Sequence, residues 1–576
     1  MQKLELTWIG KGEEPKLEPR ILIHDKEKSY GDENTENMLI HGDNLLALKA
    51  LEQDYAGKIK CIYIDPPYNT GARINADGEE VGYDDGLEHS EWLCMMEPRL
   101  RLLEKLLKDD GTLIVQIDDN EYARLYLLMS EIFGSSKLKT ICVKMSEPTG
   151  VKMSHVINSG SIPKLKEYLI IAKKDGIKNL FIERIPKDKW DDEYNRYLDG
   201  ITKDEISLLK KIRDNENRTE VDVEICDKIL SKISLRNLTE VYREYNIITE
   251  QEKLDFNFNN AWRIVQIASM SGGAKDLADK KRAETKNVFY SIVTPKKKMY
   301  FIKGDYDQSV RTPRIKLLIA DDYLTVHPGD FWQDIKTTGL DNEGGVDFKK
   351  GKKPEALIKR IIEMASNEGD YVLDSFAGSG TTGAVAHKLK RKWIMIEMGP
   401  HCYTHTNKRI RKVINGEDNQ GISNTVHFKG GGGFKFYELA PSLLKKDKYG
   451  QFVIDKESYN AEMLAAAVAK INGYRYHPDE EVFWKQGKST ESSYIFTTDK
   501  YVTAQYVDML ASELVKDERL LICCPAFDSG LNNSYENIIL KKIPELVLDK
   551  CQFGVQNYNM NIIELDEFDE VEEDEI

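Results

Sequence analysis

The chain has 576 residues, 41% of them hydrophobic, and a formal net charge of −15. That length predicts two to four domains with ample sequence for a core, and the acidic balance excludes a uniformly basic nucleic-acid binder while leaving local basic patches open. No stretch approaches the roughly twenty apolar residues of a membrane span, the N-terminus lacks a signal-peptide layout, and the eight cysteines are scattered without a Cys-x-x-Cys or zinc spacing, so a cytoplasmic protein with reduced core cysteines and no metal is expected.

After an N-terminal extension, residues 1–37, the segment 38–174 reads as alternating α/β. Apolar runs at 38–40, 59–64, 113–117 and 167–172 predict buried strands, and residues 45–51 and 92–107 carry helical periodicity between them. This alternation predicts a parallel sheet covered by helices. Residues 175–325 are charged and helix-rich and read as an inserted domain. Its aromatics, from Trp190 to Trp262, have helical or irregular spacing and are read as core. It also holds a basic stretch, Lys275 to Lys316, with twelve Lys or Arg against five acids, to which a grip on phosphates is assigned.

Residues 326–440 return to α/β: a strand at 371–374, a glycine loop, a helix at 384–390 and a strand at 393–397. After Gly430-Gly-Gly-Gly433, residues 441–576 form a smaller C-terminal α/β domain, with a helix at 461–471 and a strand at 520–524, ending in an acidic tail read as disordered or solubilising.

Two motifs carry chemistry. The run Asp374-Ser-Phe-Ala-Gly-Ser-Gly-Thr-Thr-Gly383 has the spacing of a dinucleotide fingerprint between strand and helix, and Glu397 ends the next strand, where it can hold ribose hydroxyls. Alone, this does not separate a dehydrogenase from a methyltransferase. Asp374, however, ends the strand where a pyrophosphate would meet a carboxylate, whereas S-adenosylmethionine carries an ammonium and a sulfonium but no phosphate; a cationic ligand is the better match. Thr381 and Thr382 stand at the helix N-terminus, placed to bind the ligand's carboxylate.

The second motif, Asp65-Pro66-Pro67-Tyr68, follows the strand at 59–64 and so lies at the sheet edge where open α/β sheets hold their sites. An exocyclic base amine is a poor nucleophile because its lone pair is delocalised into the ring. Asp65 and the Pro66 carbonyl, accepting hydrogen bonds from the NH2 group, localise that lone pair toward a methyl donor. The prolines remove competing N–H donors and stiffen the turn, and Tyr68 offers a face to a flipped base. His41 and His89 sit near motifs, but methyl transfer from a sulfonium needs no general base of pKa near seven.

With Ile40-His-Gly-Asp-Asn-Leu-Leu-Ala-Leu48, Asp65 through Gly71, Tyr83-Asp-Asp85, His89-Ser-Glu-Trp-Leu93, Gly111 through Glu121, Phe331-Trp-Gln-Asp334, Lys352 through Ile358 and Asp374 through Thr382, the chain resembles the amino-group DNA methyltransferases. The arrangement is similar to their permuted (beta-class) order, in which the catalytic tetrapeptide precedes the cofactor loop and a target recognition domain lies between. Within that group it looks most like the Mod subunits of type III restriction-modification systems.

The resemblance implies a Rossmann-like methyltransferase domain in two sequence halves. It gives Asp65, Pro66, Pro67 and Tyr68 to catalysis on the N6 amine of adenine in double-stranded DNA by base flipping. It gives Phe376, Gly378, Gly380, Thr381 and Asp374 to the S-adenosyl-L-methionine site, with Glu397 on the ribose, Asp43 near the adenosine, and Lys353 and Pro354 over the methionine end. It also implies a homodimer, an ATP-dependent Res partner, and a C-terminal domain for dimerisation or docking. Cytosine-N4 methylation, methylation of a protein glutamine amide, a dehydrogenase, and an orphan methyltransferase or DNA-binding specificity subunit without a nuclease partner remain alternatives.

Overall fold

The computed structural model describes residues 5–13, 15–69, 88–147, 162–337 and 351–548, together with the shorter pieces 73–75, 81–84, 160, 340, 343–346, 348, 550–551 and 562–564. The acidic tail, Thr70, Gly71 and Asp85 lie outside the described residues. Contacts divide the chain into one unit of residues 1–182 with 329–576 and a second of residues 183–328.

The first unit is built on ten strands: β1 (Leu22–Gly31), β2 (Met38–His41), β3 (Ile59–Ile64), β4 (Leu107–Ile117), β5 (Leu138–Lys144), β6 (Lys166–Lys173), β7 (Phe331–Trp332), β8 (Tyr371–Asp374), β9 (Lys392–Glu397) and β10 (Gly433–Leu439). Their order across the sheet is β1-β10-β2-β9-β8-β3-β4-β6-β5-β7. Strands from before and after residues 183–328 therefore alternate in one sheet, and β8 and β9 lie between β2 and β3.

The sheet is covered on both faces, and the period-two alternation of each strand decides which residue faces which layer. Ile62 and Ile64 join the core beneath α1 (Asn44–Tyr55), α2 (His89–Leu106) and α3 (Tyr122–Phe133). Cys61 and Tyr63 join the core beneath α4 (Glu355–Ala365), α5 (Thr381–Lys388) and α6 (Asn407–Asn415). Burial on both faces explains why these strands read as unbroken apolar runs.

The expectation of a parallel sheet needs correction. The run from β10 through β2, β9, β8 and β3 to β4 is parallel, but β6 is antiparallel to both β4 and β5, and β1 is antiparallel to β10. β5 and β6 pair from Leu138↔Ala172 to Lys144↔Lys166, so the chain returns beside the strand it has just left. An apolar run buried on both faces reads the same in either direction, and the sequence alone does not fix its sense.

The C-terminal part of this unit has a five-stranded sheet, Arg475–Tyr476, Gly487–Thr490, Ser493–Thr497, Arg519–Cys524 and Ile538–Lys542 in that order. It is antiparallel across its first two pairings and parallel across the last two. Its helix Ala461–Ile471 starts at Asn460, whose side chain accepts from the Met463 N–H.

The second unit holds an antiparallel six-stranded sheet in the order Ser234–Asn237, Arg196–Asp199, Ile264–Ser269, Arg314–Ile319, Met299–Lys303, Phe289–Val293. Three of its helices open on capping boxes, Thr202 with Glu205, Thr219 with Asp222 and Thr249 with Glu252. Tyr194 and Tyr197 are buried, with Trp190, Tyr242 and Phe256 packed against them as a core cluster. In the basic stretch Lys275 pairs with Asp279 and Lys281 with Asp227, while Lys280, Lys286, Lys296, Lys297, Lys298 and Arg311 are exposed. Among the described residues no helix is long and apolar enough to cross a membrane.

Candidate active site

Four neighbouring strands end in an acid. Asp43 follows β2 by two residues, Glu397 closes β9, Asp374 closes β8 and Asp65 follows β3. The parallel register sets Leu373 beside both Ile62 and Ile394, and Glu397 beside His41, so all four acids come to the same edge of the sheet.

The glycine loop is shaped by its own acids. Asp374 accepts from the Phe376 N–H at 2.9 Å and from the Thr382 hydroxyl at 2.5 Å, folding the loop back over the strand end. Glu397 accepts from the Gly378 N–H at 2.7 Å and from the N–H groups of Met398 and Gly399 at 2.8 and 2.9 Å. Gly378 and Gly380 take positive φ of 49° and 79°, which side-chain-bearing residues rarely adopt, and Gly380 caps α5. A Cβ on Gly380 would stand 2.9 Å from Cγ2 of Thr406, whose hydroxyl donates to the Gly378 carbonyl at 2.6 Å.

Thr381 turns its hydroxyl inward, where it accepts from Arg409 at 2.7 Å. Both loop threonines thus have their hydroxyls engaged by the protein, and what the helix start offers a ligand is its N–H groups. Burial pushes Asp374 up to about 7 against the Thr382 and Phe376 hydrogen bonds, with the charges of Asp65 and Glu397 adding to the rise.

Asp43 caps α1 through the Leu46 N–H at 3.0 Å and faces the buried Arg99 guanidinium at 3.5 Å. Arg99 also donates to Asn44 at 2.6 Å, and Asn44 donates to the Ser375 carbonyl at 2.7 Å, which ties the start of α1 to the glycine loop.

The tetrapeptide is pinned at each residue after the strand. Pro66 is buried, the Pro67 carbonyl accepts from the Trp92 indole at 2.8 Å, and Asn69, at φ 58°, donates to Glu121 at 2.8 Å. Glu121 also bonds His89 at 2.5 Å, and His41 is held by Glu438 and the Met398 carbonyl; both histidines hold loops in place.

The Tyr68 hydroxyl lies 2.6 Å from Asp65 Oδ1 and 2.8 Å from Glu167 Oε2. The Lys353 ammonium lies 2.8 Å from the Tyr68 oxygen, 3.1 Å from Glu167 and 3.3 Å from Asp65, and 4.9 Å from the centre of the Tyr68 ring. Pro354, next in the chain, is the N-cap of α4. Two carboxylates, one phenol and one cation therefore form a single cluster. Burial holds Asp65 above the usual carboxylate range, with Lys353 opposing and Glu167 reinforcing the rise. Glu167 is itself buried, but Lys353 and the donors Gln116 and Tyr68 outweigh that and hold it below its ordinary value.

Beneath the loop, Glu355 accepts from Lys388 at 2.7 Å and Arg409 at 2.9 Å, and Asp418 accepts from Lys388 at 2.6 Å, all with side chains at most 1% exposed. This buried network joins the segment after Lys353 to the helix that follows the glycine loop.

The sequence motifs assign no role to Glu167, Gln116, Arg409, Glu355 or Asn44. Glu167 opens the apolar run 167–172, where a lone carboxylate is itself a signal, since burying one needs a partner.

A family model described as DNA methylase matches residues 59–408. The probable type III restriction-modification enzyme HindVI Mod subunit of Haemophilus influenzae is 36% identical over 436 residues, covering 70% of this chain and 54% of that protein. The type III restriction-modification enzyme EcoPI Mod subunit of Escherichia phage P1 is 26% identical over 434 residues, covering 68% of this chain and 62% of that protein. The DNA adenine methyltransferase YhdJ of Escherichia coli is 51% identical over 71 residues, 12% of this chain and 24% of that protein. The chain spans 54% and 62% of the length of these two type III relatives.

Proposed function

The chain belongs to the DNA methylase family, and on that premise we propose that it transfers a methyl group from S-adenosylmethionine to the N6 amine of adenine in double-stranded DNA. The reading rests on one observation: β3 and β8 are hydrogen-bonded neighbours, so the tetrapeptide and the glycine loop leave adjacent strand ends. The acid at each of four adjacent strand ends suits a cationic ligand and would repel a pyrophosphate, which favours S-adenosylmethionine over a dinucleotide.

Phe376, Gly378, Gly380 and the N–H groups that open α5 hold the cofactor in this reading, with Asp374 facing its cationic end, Glu397 its ribose and Asp43 its adenosine side. Lys353 and Pro354 close the methionine side. Bound there, S-adenosylmethionine supplies a methyl on a sulfonium that leaves as a thioether once the amine nitrogen has taken the methyl. Asp65 and the Pro66 carbonyl accept the two amine N–H bonds and localise the lone pair; the surplus proton of the methylated nitrogen leaves toward Asp65. Pro67 stiffens the turn, and the Tyr68 ring takes one face of the flipped base.

We assign the unit of residues 183–328 to target recognition, with Lys296, Lys297 and Lys298 on phosphates. We propose further that the chain is the modification and site-recognition subunit of a type III system, a cytoplasmic homodimer working with a Res partner; its likeness to type III Mod subunits supports the subunit type.

The test is incubation with unmethylated bacterial DNA and labelled S-adenosylmethionine, followed by nucleoside analysis, for the wild type and Asp65→Ala. N6-methyladenine from the wild type, and its loss in Asp65→Ala with cofactor binding kept, is the expected result. Full activity in Asp65→Ala would remove Asp65 from the mechanism. N4-methylcytosine would keep the mechanism and change the base.

A further inference from the structure

The cluster around Tyr68 holds more acceptors than the proposed chemistry requires. The phenol has one proton, and two carboxylates lie within hydrogen-bond reach of it, Asp65 at 2.6 Å and Glu167 at 2.8 Å. The Lys353 ammonium divides itself between the same two groups, 3.3 Å from Asp65 and 3.1 Å from Glu167. Every donor that reaches Asp65 within the protein competes with an incoming amine for its lone pairs.

Glu167 is fixed in place from behind. Gln116 donates its amide to the same Glu167 oxygen at 2.6 Å, and the Tyr63 hydroxyl donates to the Gln116 carbonyl at 2.6 Å, which sets the amide's orientation. Tyr63 is on β3, Gln116 on β4 and Glu167 on β6, so the hydrogen-bonded chain crosses three strands. Because β6 is antiparallel to β4, its beginning rather than its end stands at the edge where the parallel strands finish, and that places Glu167 beside Asp65.

We propose that Glu167 is a positioning residue for the methyl transfer: its carboxylate is the second acceptor for the Tyr68 proton and the Lys353 ammonium, drawing both away from Asp65 when a base amine takes their place. The inference rests on the reading of Asp65 as the amine's acceptor. With Glu167 present, the phenol proton and the ammonium each need to shift only to an acceptor already in reach, and Asp65 is left with open lone pairs. Without that charge, Lys353 settles on Asp65 and blocks it.

Glu167→Gln keeps shape and removes the charge. Single-turnover methyl transfer is expected to slow roughly tenfold, and the acid limb of its pH profile to move down by about half a unit, because Asp65 loses an anionic neighbour and gains the whole of Lys353. Glu167→Asp keeps the charge and should hold the wild-type limb with part of the rate. In a Lys353→Met background the sign reverses. There Glu167→Gln removes a repulsion, so it should raise the urea midpoint, and this neutralised double variant keeps the test available if Glu167→Gln alone does not fold.

An unchanged rate and limb in Glu167→Gln would overturn the proposal, as would a loss of stability on adding it to Lys353→Met. The urea midpoints need no substrate. They judge the charge-sharing even if the wild type proves not to methylate DNA, an outcome that would instead remove the functional reading beneath it.

Discussion

The Lys353 ammonium lies 2.8 Å from the Tyr68 hydroxyl, although 285 positions separate the two residues in the chain. It is the cation that lets Asp65 and Glu167 stand together in a largely enclosed cluster, with side-chain exposures of 20% and 15%. Lys353→Met leaves two carboxylates sharing one phenolic proton. Its unfolding free energy should fall by about 3 kcal/mol, the cost of breaking a mostly buried pair, and methyl transfer should fall with it. A urea unfolding curve superposable on the wild type would show that the ammonium does not hold the two carboxylates together.

Asp374 makes ligand binding depend on pH. Burial raises it to about 7, so the free protein carries this carboxyl largely neutral at pH 6, and a cationic ligand must bind its ionised form. Affinity for S-adenosylmethionine should therefore be roughly eightfold weaker at pH 6 than at pH 7.5, with a proton released on binding. In the free protein the sign is the opposite of a salt-bridged acid. Between the ordinary value of 3.8 and about 7 the folded state keeps a proton that the unfolded chain has lost, so stability from this group declines as pH rises through that window. Calorimetry in two buffers of different ionisation heat measures the proton, and Asp374→Asn should flatten the dependence.

Glu355 is fully buried between Lys388 and Arg409, and Glu355→Ala leaves two cations with Asp418 alone. A loss of about 3–5 kcal/mol is expected. Burial disfavours the charged Glu355, but Arg409 and Lys388 outweigh it and hold the carboxyl below its ordinary 4.5. Its contribution is thus complete above that value and is lost as pH falls through the lower folded value. The difference in urea midpoint between wild type and Glu355→Ala, followed from pH 7 into acid, should shrink accordingly.

Gly380→Ala tests the loop itself. The residue sits at φ 79°, and the new methyl would meet Thr406 at 2.9 Å. Strain of about 1–2 kcal/mol is expected from the left-handed backbone alone, and the Thr406 contact would shift the N–H groups that start α5. Cofactor affinity should fall while Asp65 chemistry at saturating cofactor is retained. Equal affinity by calorimetry would show that the loop's shape does not depend on this glycine.

The strands at 59–64, 371–374 and 393–397 were legible because burial on both faces writes unbroken apolar runs, and because punctuation such as Asp65-Pro66-Pro67 stops a strand abruptly. The edge at which Asp65, Asp374 and Glu397 gather followed from each strand being read as parallel. Direction was the missing quantity. Nothing in residues 167–172 says that β6 runs the other way, and only that reversal carries Glu167 to the tetrapeptide. The pairing of Lys353 with Tyr68 was hidden for a related reason: a contact across 285 positions leaves no local periodicity to read.

The interleaving of β8 and β9 between β2 and β3 also sets a timetable for synthesis. Met38–His41 leaves the ribosome long before either of its two neighbours, Lys392–Glu397 and Gly433–Leu439. At translation rates of about 5–20 residues per second, roughly 20–70 s pass before either exists. Through that interval the nascent chain presents an apolar strand with both edges unpaired, and the sheet closes from its middle only after the intervening 183–328 unit has been made.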